Sequence, residues 1–162
     1  MPTVHFLNVR EGDCSIIQHK SGRISVIDIC NGKTTSQKTA TTSFAEALLG
    51  VQRAARAAGS GSGNYGMKNS PTDPIAYLKG LGVSSVFRFI LTHPDMDHLD
   101  GFKGLCDEIG ILNFWDSGAR KTKPDFSGGR YAEADWNHYV KVRDGKAGVT
   151  VVTPRAGAQF QY

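Results

Sequence analysis

Ser85-Val-Phe-Arg-Phe-Ile-Leu-Thr-His-Pro-Asp-Met-Asp-His98 runs from an apolar segment straight into four side chains able to bind a metal. Ser85 to Leu91 is apolar on both faces apart from Arg88. That pattern predicts a central strand of a layered α/β sheet, covered by helices on both sides. Pro94 disfavours a helical His93, so His93 should leave the strand extended and the next helix should begin around Asp97 to Leu99. His93, Asp95, Asp97 and His98 are then displayed from a turn at the carboxyl end of a strand, where α/β proteins usually keep their sites. Imidazole and carboxylate together suit zinc, manganese or iron. The plainer alternative is that Asp95 or Asp97 caps the helix and the histidines are surface residues. Four such groups within six residues favour the metal.

Before this stretch, Asp73-Pro74 is an N-cap and first-turn pair, opening a helix with Ile75, Leu78 and Leu81 on one face and an end near Gly80 or Gly82. After it, Leu99, Phe102, Leu105, Cys106 and Ile109 line a helix, and Ile111 to Trp115 is a strand. Gly118 to Arg130 reads as a loop, Tyr131 to Arg143 as a helix and Val149 to Thr153 as a strand. At the amino end, Val4 to Val9, Ser15 to His19 and Ile24 to Ile29 predict an antiparallel meander turning at Glu11-Gly12-Asp13 and Ser21-Gly22. Its last strand carries Asp28, a carboxylate among apolar neighbours. The element order predicts an α/β layer architecture. Residues 1–162 form one domain with an insertion at about 31–72. Within the insertion, Phe44 to Ala58 has helical spacing and Gly59 to Gly66 is a flexible stretch.

Composition narrows the classes. Of 162 residues, 40% are hydrophobic and 21% charged, which fits a globular protein rather than a disordered one. No run of 18 apolar residues and no secretory signal is visible, so no membrane partner is expected. Cys14, Cys30 and Cys106 lack metal-type spacing and read as reduced thiols of a cytoplasmic protein. The net charge of +4 tilts only slightly toward an anionic partner, because the basic residues are scattered. Gly61 to Gly66 spells G-x-G-x-x-G without the strand and helix that a dinucleotide site needs, so it is read as a loop.

His93-x-Asp95-x-Asp97-His98 resembles the H-x-[HD]-x-D-H signature of the metallo-β-lactamase superfamily. The surrounding Ile-Leu-Thr-His-Pro-Asp-Met-Asp-His-Leu-Asp-Gly is most similar to the ComEC-like branch. Phe6-Leu-Asn-Val-Arg-Glu-Gly-Asp13 resembles that branch's opening turn, with Arg10 and Glu11 at its middle. Val26-Ile27-Asp28 is similar to the superfamily's first motif. The resemblance covers residues 4 to 30 and about 73 to 115. It implies the amino-terminal half of an αββα sandwich, a mixed sheet with helices packed on it. It also implies one or two zinc ions, with manganese or magnesium open because Asp95 supplies oxygen. His93 and Asp95 are assigned to one ion and Asp97 and His98 to the other, with Asp28 steadying the ligand turn from behind. The implied activity is hydrolysis by a metal-activated water, on phosphodiesters or nucleic acid, with Asp97 orienting that water or taking its proton.

The superfamily's later ligands have no counterpart after His98, where His138 in a helical context is the only histidine. It is read as packing or surface, like His5 and His19. A split half, a fragment and a degenerate site therefore all remain open. A split half would need a completing chain or, less favoured, a homo-oligomer, and the alternative function is a non-catalytic or split half-domain that binds such a partner.

Overall fold

The computed structural model describes residues 1–31 and 71–157. The expected helix at Phe44 to Ala58, the Gly59 to Gly66 stretch and most of the insertion lie outside the described residues. The architecture is α/β: a six-stranded mixed sheet in the order β1-β2-β3-β5-β7-β8, with a two-stranded β4-β6 sheet beside it. The strands are β1 (Thr3–Phe6), β2 (Ser15–Gln18), β3 (Ile24–Ile27), β4 (Ile29–Cys30), β5 (Val86–Leu91), β6 (Leu99–Asp100), β7 (Ile111–Asp116) and β8 (Thr150–Val152). The described helices are α1 (Pro74–Gly80), α2 (Phe102–Glu108) and α3 (Glu133–Arg143).

The meander forms as the turn residues dictate. β1 pairs antiparallel with β2, and β2 with β3. The β2–β3 turn is closed by Gly22 N–H donating to His19 O at 2.9 Å, with Gly22 at φ 83°. From β3 onward the pairing is parallel, through β5 and β7 to β8. Parallel neighbours need crossovers, and α2 and α3 supply those from β5 to β7 and from β7 to β8.

Register divides the sheet into two unlike faces, because side chains alternate along every strand. His5, Ile16, Val26, Phe89, Phe114 and Val151 stand opposite one another across all six strands. All three helices pack on this face. Tyr77 of α1 meets His5, Phe102 of α2 meets Phe89 and Phe114, and Tyr139 of α3 meets Phe114. Ile16, Val26, Phe89, Phe114, Phe102 and Tyr139 are all fully buried there. The next row, Phe6, Ser15, Ile27, Ile90, Trp115 and Val152, faces the other way, and none of it is buried. The expectation was of helices on both sides of β5; among the described residues one side carries them.

Two boundaries also moved. The third meander strand breaks at Asp28, which takes φ 55°, and resumes as β4. The helix expected to begin around Asp97 to Leu99 starts only at Phe102. Met96–His98 make a single 3₁₀ turn, and Leu99–Asp100 pair in parallel with Ile29–Cys30. The buried Asp135 carboxylate of α3 accepts from Gly101 N–H at 3.1 Å and Lys103 N–H at 2.8 Å, capping α2 from outside its own chain segment. Burial pushes the Asp135 carboxyl up, against those two hydrogen bonds.

Candidate metal centre

Asp28 and Thr92 end adjacent parallel strands, β3 and β5, and Asp28 N–H donates to Ile90 O at 2.9 Å. The left-handed backbone at Asp28, uncommon for a residue with a Cβ, turns its carboxylate from the strand toward the following turn of β5. That carboxylate is 2% exposed and accepts three hydrogen bonds, from Thr92 N–H at 2.8 Å, Thr92 Oγ1 at 2.6 Å and His98 Nδ1 at 2.9 Å. One acidic side chain thereby ties both ends of the segment from Thr92 to His98. The β4-β6 pairing clamps its exit, joining the residues that follow Asp28 to those that follow His98.

Donor arithmetic fixes the imidazoles. A carboxylate only accepts, so His98 Nδ1 carries the proton. The single hydroxyl proton of Thr92 goes to Asp28, so toward His93 Nδ1, 3.0 Å away, the hydroxyl oxygen accepts. His93 Nδ1 therefore carries a proton as well. With that one proton per ring, Nε2 is left with a lone pair. His93 Nε2 stands 3.6 Å from Asp95 Oδ2, and His98 Nε2 stands 3.7 Å from Asp97 Oδ2. The two rings lie 4.0 Å apart, centroid to centroid.

Nε2 facing a carboxylate calls for something positive between them, either a second ring proton or a metal ion. At zinc–ligand bonds of ~2.0–2.2 Å, two donors on one tetrahedral ion stand roughly 3.3–3.5 Å apart. The observed spacings exceed this by only a few tenths of an ångström, so the donors fit an ion pairwise. They form two pairs, His93 with Asp95 and His98 with Asp97, and no larger cluster. Among the described residues no three His, Cys, Asp or Glu side chains are grouped to hold an ion. Lys121, from the loop after β7, meanwhile lies against Asp95 Oδ1. Its ammonium holds the Asp95 carboxyl below the usual carboxylate range.

The amino-terminal turn approaches from the other side. Gly12, at φ 69°, lies so close that a Cβ there would fall 1.8 Å from the Asp97 carbonyl oxygen. Glu11 beside it pairs with Arg130. Sequence reasoning missed Thr92 as a part of the site, although its place directly before His93 was on view. The remaining histidines have other contacts. His138 lies against the Phe102 ring at 5.8 Å, His5 joins Tyr77 and Gln18, and His19 joins Ser25. Cys14 and Cys30 are buried and Cys106 is half-buried, and none of the three is in a disulfide. Burial raises the Cys14 thiol and lifts that of Cys106 to about 12, which suits packing rather than ligation.

No family model matches the chain. No curated protein matches it either. Among the described residues no helix is long and apolar enough to cross a membrane.

Proposed function

We propose that this chain is a metal-dependent hydrolase of the metallo-β-lactamase type, in its ComEC-like branch, acting on phosphodiesters. The observation that carries the reading is that two Nε2 atoms, 3.6 and 3.7 Å from two carboxylates, stand at a spacing that fits a shared cation. His93 with Asp95 would hold one ion and His98 with Asp97 a second, with solvent completing each. Zinc suits the nitrogen donors, and the carboxylates leave manganese or magnesium open. Bound there, the metal supplies Lewis acidity and a water acidic enough to attack near neutral pH.

The chain's own residues do the rest. Asp28 holds His98 by Nδ1 and, through Thr92, orients His93, so each imidazole would offer Nε2 to its own ion. Asp97, whose carboxylate is partly exposed, would orient the attacking water or take its proton with Oδ1, the oxygen that does not face His98 Nε2. The mild positive charge and the reduced thiols agree with a cytoplasmic protein acting on an anionic substrate. Single-stranded DNA, RNA and bis(p-nitrophenyl) phosphate, each supplied with zinc or manganese, test the activity. Turnover that Asp97→Asn abolishes is expected. No turnover on any substrate by metal-loaded protein would remove the enzymatic reading.

A second reading is favoured by one observation, the row from Phe6 to Val152 with no described helix over it. In this reading the chain is a half-domain, completed by another chain that lays a second sheet on that face. A distinct partner is preferred to a second copy.

A further inference from the structure

A cavity of about 230 Å³ lies at the opposite end of the strands from the ligand turn, lined by His19, Ser21, Arg23, Phe87 and Arg88. We infer that it is a binding site for a phosphate-type oxyanion, separate from the metal centre and independent of the function proposed for it.

The first ground is charge. The lining brings two guanidiniums, an imidazole and a hydroxyl together and contains no acid. The segments that build it are acid-free as well, with no Asp or Glu from Cys14 to Ile27 or from Pro74 to Pro94. Of the buried carboxylates among the described residues, Asp28, Asp100 and Asp116 follow or end strands at the other pole, and Asp135 caps the start of α2. Positive potential at this end of the sheet is therefore not cancelled from within its own elements.

The second ground is preorganisation. The Arg23 guanidinium lies over the Phe87 ring at 4.4 Å, and that of Arg88 lies over the Trp115 ring at 4.1 Å. Stacking on the Phe87 face turns the edge of the exposed Arg23 guanidinium away from the ring, as a fork matched to two phosphate oxygens. Lysine at that place would offer a point charge without the fork. The cavity floor is stiff too. His19 N–H donates to Arg23 O and Gly22 N–H to His19 O, both at 2.9 Å, closing the hairpin that carries Ser21 and Arg23. His19 Nε2 is engaged by Ser25 Oγ at 2.8 Å, which fixes the ring at the cavity wall. Little conformational freedom is left to lose when an anion enters.

The test uses the full chain, labelled with ¹⁵N and titrated with inorganic phosphate, with adenosine monophosphate, and with chloride at matched ionic strength. Saturable shifts confined to the amides of residues 19–23 and 86–88 are expected with phosphate and absent with chloride. Arg23→Gln, at an exposed position, should weaken binding at least about tenfold, and Arg88→Lys should weaken it although charge is retained. Tighter binding of the nucleotide than of free phosphate would assign the site to a phosphorylated ligand, and equal binding would assign it to the free ion. Shifts that chloride reproduces, or that Arg23→Gln leaves unchanged, overturn the inference.

Discussion

Thr92 does more at the site than the ligand motif itself conveys. Its hydroxyl donates to Asp28 and accepts from His93, so one carboxylate sets the tautomer of two imidazoles. Thr92→Val breaks this relay and keeps the shape. At a pH where the rings are neutral, ¹⁵N shifts of His93 should report the Nδ1–H form in the parent chain and a mixture or the Nε2–H form in the valine variant. Thr92→Ser should restore the parent pattern. The lost hydrogen bond should lower stability by about 1–2 kcal/mol in urea unfolding. A His93 already in the Nε2–H form in the parent chain would refute the relay. Asp28 was legible from the sequence because a carboxylate ending an apolar strand is conspicuous. Its left-handed backbone was not, since nothing local marks a positive φ at an Asp. The relay could not be read at all, because it exists only once β3 and β5 lie side by side.

Among the elements, the turn between β1 and β2 matters most to the metal centre. Gly12 and Gly22 both have positive φ, but only at Gly12 would a Cβ collide with the ligand turn. Gly22→Ala should therefore show the backbone cost alone, about 1 kcal/mol or somewhat more. Gly12→Ala should cost clearly more and should also weaken metal binding, because Asp97 must move aside. Equal loss from the two variants would mean that the amino-terminal turn does not brace the site. Most strands were readable from turn chemistry and alternation, and α1 from its Asp73 cap, which accepts from Ile75 N–H at 2.9 Å and Ala76 N–H at 3.2 Å. The start of α2 was not readable. Leu99 looks helical by spacing, yet its pairing with Ile29 across a long sequence gap overrides local preference.

For the whole molecule the decisive feature is the difference between the sheet's two faces. One carries the helices and a fully buried aromatic core. The other presents Ile27, Ile90, Trp115 and Val152 only partly covered, with Phe6 83% exposed. An apolar surface of that kind favours association. If a completing chain is required, light scattering at micromolar concentration should show self-association, reduced by Phe6→Lys. A compact monomer would count against obligate pairing. The sequence could announce the apolar run of β5 but not which of its faces the described helices cover, nor that Arg23 and Arg88 line one cavity at the far pole.

Metal content bears most directly on the central claim. The chain and an Asp97→Ala/His98→Ala variant, both purified, loaded with zinc and dialysed, should differ under elemental analysis. The parent should retain about one zinc per chain or more and the variant markedly less. A metal-free parent, or equal retention by both chains, would mean that the paired imidazoles and carboxylates between residues 93 and 98 are not a metal centre.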